Sequence, residues 1–418
     1  LRGARPAHVI AIPRAMALVR ATGIPGQRIR VADLPHIARS GATVNLPDAP
    51  KGDDEAVVVF TSGSTGPAKG VVYRHSQVAA TRDVLREHYS ISDADALVAA
   101  FAPWAVLGPA LGIASAIPDM DVTSPRTLKA RAFADACAQV GGTLAWASPA
   151  AFGSILRTAG ELDGAGRGAL GSLRLVLGAG APVSRELLEG MAQLCPHAQI
   201  RTPYGMTEAL PVSDVSLDDI RSAGPGPGVL VGRAVPGVDI MISSVDHVGC
   251  ADGPLTKTPH VLGEVVVKVP HGKDHYDGLW FTESRSARNA GWHRTGDVGT
   301  LDDQGRLWIS GRLAHVITSA NGPIAPVPIE QRVGALTGVD QAACVGVGPV
   351  GTQQVVVIIT GDANPDDIHV QDDIRKAVDV PIAAVLGRKD LPVDIRHNSK
   401  IDRTALAAWA SDVLAGSR

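Results

Sequence analysis

The run Thr61-Ser62-Gly63-Ser64-Thr65-Gly66-Pro67-Ala68-Lys69-Gly70 constrains this chain more than any other stretch. It follows Ala56-Val57-Val58-Val59-Phe60, which reads as a buried strand, and precedes Val71-Val72-Tyr73, which reads as a second strand. Glycines let a backbone approach a phosphate closely, successive main-chain N–H groups form an anion nest, and hydroxyls add donors. Lys69 adds a point charge. The loop is not of the GxxxxGKS/T type. Counted from Gly63, Ala68 stands where the second Gly is needed, and Gly70 where the Ser or Thr is needed. A flexible Gly/Ser turn is the plainer alternative.

The segments around this loop alternate. Ser76 can cap a helix from Gln77 to about His88, Ala132–Val140 reads as a helix, and Thr143–Ala147 reads as a strand stopped by Ser148-Pro149. Leu173–Leu177 is another apolar strand, ending in Gly178-Ala179-Gly180, after which Ser184 caps a helix through Ala192. This order indicates α/β layers with a substantially parallel sheet. From residue 224 Gly and Pro become dense and strands short, as in Val261–Val269 and Arg306–Ser310. Beyond Arg312 the pattern is small α+β: Val345–Val347, Val355–Thr360, a helix near Asp366–Val378 and a last helix over 402–414. The expected division is an α/β domain over 1–223, a β-rich subdomain over 224–312 and a small mobile α+β domain over 313–418.

Composition narrows the function. With 418 residues, 45% of them hydrophobic, the chain can build two or three domains. Aromatics are 4%, so Ala, Val, Leu and Ile must fill the core. A formal net charge of -3, without a dense basic block, argues against nucleic acid as a partner. Cys137, Cys195, Cys250 and Cys344 form no CxxC pair, so neither a zinc knuckle nor a disulfide framework is indicated, and a reducing, cytoplasmic setting follows. No apolar run reaches the roughly 18 residues of a membrane span. The chain opens on Leu1-Arg2-Gly3, and His8–Arg20 reads as the interior of a fold, the pattern of a fragment.

Taken together, the motifs resemble the adenylate-forming superfamily of acyl-CoA synthetases, luciferases and peptide-synthetase adenylation domains. TSGSTGPAKG looks like its phosphate loop, Gly178-Ala179-Gly180-Ala181-Pro182 like its adenine-flanking loop, and Tyr204-Gly205-Met206-Thr207-Glu208 like its aromatic–Gly–x–Thr–Glu motif. Trp292-His293-Arg294-Thr295-Gly296-Asp297 resembles W-x-x-T-G-D, Gly311-Arg312 the GR that ends the large domain, and Asn398-Ser399-Lys400-Ile401-Asp402-Arg403 the C-terminal lysine motif. The resemblance implies ATP and Mg²⁺ as cofactors. Tyr204 would stack on adenine, Thr207 would bond the α-phosphate, and Glu208 with Thr65 would hold Mg²⁺, hard oxygen donors suiting that ion. Asp297 would accept from both ribose hydroxyls, and Arg312 would reach the ribose or phosphate. Thr61, Ser62, Gly63, Ser64, Thr65 and Gly66 would line the phosphates with Lys69, and Lys400 would bridge the substrate carboxylate and the α-phosphate. Ser399 stands where the family has Gly. The family's phosphate loop lies deep in its chains, so the resemblance also implies a missing N-terminal stretch.

Within the superfamily TPYGMTEALPVSDVS, GRLWISGRLAHVIT and HNSKIDR are similar to the β-lactone synthetases of bacterial olefin and β-lactone pathways. Ala314 takes the place of the usual hinge Asp or Lys, Thr318 replaces a Lys, and Pro323 and Pro326 stiffen the following loop, departures that weaken the case for CoA transfer. The resemblance implies activation of a fatty or β-hydroxy fatty acid to an acyl-AMP, then attack by the acid's own hydroxyl, with other enzymes of such a pathway as partners. His315 is a candidate base, against the plainer reading of a packed or surface histidine. Phe101–Gly112 and Trp146–Phe152 would line the acyl pocket, with core packing as the alternative, and His271-Gly272-Lys273-Asp274-His275 reads as a solvated turn rather than a metal site. An acyl-CoA ligase, which would use CoA, and an inactive nucleotide-binding fragment are the competing readings.

Overall fold

Every residue of the strands Ala96–Ala100, Leu144–Ala147 and Leu175–Gly178 is buried. Strand side chains alternate between faces, so these strands must be covered on both sides. Val98, Ala100, Ala145, Ala147 and Val176 face Phe133, Phe152, Ile155, Leu188 and Met191. Leu97, Ala99, Leu144, Trp146, Leu175 and Leu177 face Leu85, Leu107 and Leu111. The helices Ala130–Val140, Pro149–Thr158 and Arg185–Leu194 supply the first layer, and His75–His88 contributes to the second. The computed structural model describes residues 5–41, 45, 48–61, 68–101, 104, 106–392 and 401–417.

These strands belong to a twelve-stranded sheet. Its order runs Leu255–Thr256, Asp239–Ser244, Gly263–Lys268, His293–Leu301, Leu307–Arg312, Val229–Ala234, Ala209–Ser216, Gln199–Met206, Leu175–Gly178, Leu144–Ala147, Ala96–Ala100, Ala114–Ala116. The last five run parallel to one another. Direction changes at Gln199–Met206, which runs parallel to Leu175–Gly178 and antiparallel to Ala209–Ser216. Thr207-Glu208 alone joins those two antiparallel strands, too short a connection for a parallel crossover. The sheet is thus mixed, and the expectation of a largely parallel one holds for its helix-connected half. The β-rich stretch continues the same sheet through pairing of Ser213 with Ala234 and of Leu230 with Trp308.

Three local expectations are corrected. Glu55–Phe60 is an edge strand, and Val57 to Phe60 are 37–43% exposed rather than buried. Its partner Gly70–Arg74 is the central strand of that three-stranded sheet, and Val71 and Val72 there are buried. The helix His75–His88 starts before Ser76; Arg74 is its N-cap, and the Arg74 N–H is accepted by Gln77 Oε1 at 2.9 Å. His8–Arg20 is not interior among the described residues: only Met16 and Val19 of the helix Pro13–Ala21 are buried, and Ile10, Ile12 and Leu18 are exposed.

After Arg312 a separate three-stranded sheet forms, with Gln341–Val347 antiparallel to Gln354–Thr360 and the latter parallel to Ala384–Gly387. Val355, Val357 and Ile359 pack on Ile329, Val333 and Ile374; Val356 and Ile358 pack on Leu406 and Ala410. This α+β unit therefore carries cores on both faces of its own sheet. Among the described residues no helix is long and apolar enough to cross a membrane.

Candidate functional site

The turn Thr207-Glu208 sits where the sheet changes direction, and two tyrosines from other strands brace it. Tyr73 donates its hydroxyl to the Thr207 carbonyl at 2.7 Å. Tyr276 donates to Glu208 Oε1 at 2.6 Å. Burial and the Glu208 charge push both phenols above their usual range, so both stay protonated as donors. Lys273 lies over the Tyr276 ring at 4.4 Å and Lys69 at 5.5 Å. Lys273 also pairs with Glu283 at 2.5 Å, and its N–H is accepted by the Glu208 carbonyl at 2.8 Å. The Glu208 carboxylate and two lysines thus meet around the Tyr276 side chain, and Thr207, Glu208 and Lys69 line one cleft.

Asp297 faces the same cleft from the strand His293–Leu301, directly opposite Arg312. Arg312 Nε stands 3.1 Å from Asp297 Oδ1, and Tyr204 donates its hydroxyl to Asp297 Oδ2 at 2.7 Å. Each carboxylate oxygen has two lone pairs, so both can still accept from a ligand. Gly296, at φ +73, turns the chain between Thr295 and Asp297. Its N–H is accepted by Glu264 Oε1 at 3.0 Å, while Thr295 Oγ1 donates to the Val265 carbonyl at 2.8 Å and accepts from Asp297 N–H at 3.0 Å. Behind this turn the buried Arg294 donates through Nε to Glu264 Oε2 at 2.7 Å.

The two loops of interest are tied at their necks. Thr61 N–H is accepted by the Lys69 carbonyl at 2.9 Å, and Lys69 N–H by Thr61 Oγ1 at 3.3 Å. Asp402 N–H is accepted by the Pro392 carbonyl at 2.8 Å. Arg403 grips Glu330 through Nε at 2.9 Å and Nη2 at 2.5 Å, and Glu330 Oε1 also accepts from Cys344 N–H at 2.9 Å. Ser62, Gly63, Ser64, Thr65, Gly66 and Lys400 lie outside the described residues. Ala179 and Gly180 line the cleft together with Tyr204, Asp297 and Arg312. Gly178 lies deeper, since a Cβ there would meet Phe152 Cε2 at 2.6 Å.

Three sequence readings need correction. Trp146 and Phe152 are almost fully buried and belong to the core; Trp146 stacks on Trp104 at 4.3 Å. The apolar wall of the cleft comes from the other expected stretch, 101–112, through Phe101, Trp104, Val106, Leu107 and Ala110. The 271–275 stretch is not a solvated turn: His271 is fully buried, with Nε2 2.7 Å from the Pro211 carbonyl, and Asp274 is held by Arg74 at 2.8 Å. Thr318 is buried and bonded to Gln353, and Pro326 opens the helix Pro326–Gly334, so it shapes the C-terminal unit as an N1 residue rather than stiffening a loop. Sequence reasoning passed over Tyr73, Tyr276, Lys273 and Glu264. Their partners are far along the chain, and the local cue was limited to tyrosines beside glycine-rich turns.

His293 is held neutral. Burial first, then Lys273 and Lys69, lower its pKa to about 3. Burial likewise lowers those of His271 and His315. In the unfolded chain these histidines bind a proton near pH 6.5, whereas in the folded chain they do not. Their contribution to stability is complete above that pH and is lost progressively on acidification toward about 3, the folded value for His293. Urea midpoints should therefore fall between about pH 6.5 and 4. His293→Gln should flatten that slope, and an unchanged slope would exclude His293 as a source.

Comparison with known proteins agrees with this arrangement. The AMP-binding enzyme family matches residues 11–276. The olefin beta-lactone synthetase of Xanthomonas campestris pv. campestris is 36% identical over 400 residues, covering 89% of this chain and 69% of that protein. Its counterpart in Stenotrophomonas maltophilia is 34% identical, covering 87% and 68%. ATP-bound MatB from Rhodopseudomonas palustris shares the fold, with a TM-score of 0.77 at 21% identity over 98% of this chain and 80% of that one. Fold and sequence together define an adenylate-forming enzyme. The chain belongs to the AMP-binding enzyme family.

Proposed function

We propose that this protein uses MgATP to convert a β-hydroxy fatty acid to its acyl-AMP and then closes that adenylate to a β-lactone. The observation that carries the reading is the 36% identity to an olefin beta-lactone synthetase over 89% of the chain. The site is compatible with it. Asp297 and Arg312 would take the ribose, Tyr204 the adenine, and Thr207 the α-phosphate. Thr61, Ser62, Gly63, Ser64, Thr65, Gly66 and Lys69 would cradle the remaining phosphates, beside Ala179 and Gly180. Glu208 with Thr65 would hold Mg²⁺, which would neutralise phosphate charge. Lys400 would stabilise the charge that gathers between the substrate carboxylate and the α-phosphate. The apolar wall from Phe101 to Ala110 suits an alkyl chain. Residues 1–223 and 224–312 would form the nucleotide-binding body, and 313–418 a small domain that moves against it.

Closure needs no external thiol, because the nucleophile is attached to the acid and its effective molarity is high. The second reading is an acyl-CoA ligase, favoured by 27% identity over 71% of the chain to the long-chain-fatty-acid–CoA ligase FadD13 of Mycobacterium tuberculosis. Mass spectrometry of products from MgATP and a β-hydroxy fatty acid, with and without CoA, separates the two. A β-lactone with AMP and pyrophosphate, independent of CoA, is expected. An acyl-CoA formed only when CoA is present would establish the ligase instead.

Asp297→Ala should weaken AMP binding by about ten-fold or more, the loss expected for hydrogen bonds to a charged acceptor. Titration calorimetry with AMP reads this directly, and unchanged affinity would remove the ribose assignment.

A further inference from the structure

His315 is a titratable group that the scheme above leaves unused. It ends the short 3-10 turn Leu313–His315, three residues past Arg312, and lines the same cleft. Among the described residues its Nδ1 is buried without a hydrogen-bond partner. Burial, then Arg403 and Arg312, lower its pKa, against an opposing pull from Asp402. The ring is therefore neutral at neutral pH, and whichever nitrogen lacks the proton has a free lone pair. A buried polar atom left unpaired is costly, and use of the group by a ligand or a reaction is one explanation for such a position.

The position of the ring is informative. Arg312 faces it from the strand end proposed to hold the ribose. Asp402 and Arg403 face it from the start of the helix Arg403–Leu414, two and three residues past Lys400. Arg403 is itself fixed by Glu330. The imidazole thus stands between the proposed ribose site and the Asp402–Arg403 start of the last helix, in the cleft that Asp297 also lines.

We propose that His315 is the base that accepts the β-hydroxyl proton as that oxygen closes on the acyl-adenylate carbonyl. This rests on the β-lactone reading above. The hydroxyl oxygen forms a bond to the carbonyl carbon, and its proton passes to the imidazole nitrogen. The bond from that carbon to the phosphate oxygen breaks, and AMP leaves with the electron pair. The imidazolium then returns its proton to solvent. No oxidant, metal step or external nucleophile is required.

The test separates the two half-reactions. His315→Gln and His315→Asn are made in the full-length protein and given MgATP and a β-hydroxy fatty acid. Acyl-adenylate is read by hydroxylamine trapping, and lactone by mass spectrometry. General-base removal should slow lactone closure by about 10²–10⁴-fold. Acyl-adenylate should form at the wild-type rate and accumulate in both variants, which also shows that they are folded. Lactone formed at the wild-type rate by either variant would overturn the role of His315. Equal loss of both half-reactions in both variants would overturn it too, making the residue a packing element. Failure of the β-lactone reading looks different: the wild-type protein itself would form acyl-adenylate and no lactone.

Discussion

Lys400→Ala is expected to slow acyl-adenylate formation by about 10²–10³-fold or more, the loss typical of removing one preorganised stabiliser of transition-state charge. Nucleotide affinity should change little, because the residues proposed to hold adenine and ribose sit elsewhere, on the strands around Tyr204, Asp297 and Arg312. The flanks of the segment support a local effect. Ile401 packs against the core formed by Val345, Val356 and Leu406. Asp402 caps the last helix, accepting from Ala405 N–H at 3.0 Å, and Arg403 is locked to Glu330. These contacts are made by Ile401, Asp402 and Arg403 themselves, so the variant should keep the last helix docked. Pyrophosphate release measures the rate, and calorimetry with AMP measures binding. A rate within about two-fold of wild type would take the lysine out of the mechanism.

The layers of this fold were legible where the chain speaks locally. Leu144–Ala147 and Leu175–Gly178 form apolar runs broken by Ser-Pro or Gly, and Ser184 announces its helix, accepting from Leu187 N–H at 3.4 Å. The motif around Thr207 and that around Asp297 were also readable, because each is a short string with its own chemistry. What escaped were partners. Tyr73 reaches Thr207 across 134 residues and Tyr276 reaches Glu208 across 68. Periodicity reports that a residue faces inward, not what it meets. The same limit explains the apolar wall of the cleft. Trp146 and Trp104 are both apolar aromatics in sequence, but only their stacking order shows that Trp104 fronts the cleft and Trp146 backs it. The exposed strand Val57–Phe60 fails for a related reason: its composition suits burial, whereas its burial depends on what lies beside it.

Glu264→Ala should destabilise the fold by about 3–5 kcal/mol, the loss typical when one member of a buried ion pair is removed. Glu264 and Arg294 are 5% and 7% exposed, so water screens the pair little. The carboxylate has two tasks. Oε2 accepts from Arg294 Nε at 2.7 Å, and Oε1 accepts from Gly296 N–H at 3.0 Å. Arg294 also donates to Asn289 Oδ1 at 2.9 Å and to the Ala251 carbonyl at 2.5 Å. Those neutral acceptors would remain, but the positive charge would be buried without its counter-ion. Gly296 would lose the anchor that fixes the turn one residue before Asp297. Stability and AMP affinity should therefore fall together, with Tyr204 and Arg312 still in place. Glu264→Gln keeps an acceptor for one donor and removes the charge, so its loss should be smaller. Urea unfolding and AMP titration on both variants read the two effects. A Glu264→Ala protein within about 1 kcal/mol of wild type would mean that the guanidinium finds other compensation and that the T-G-D turn holds its shape without the carboxylate.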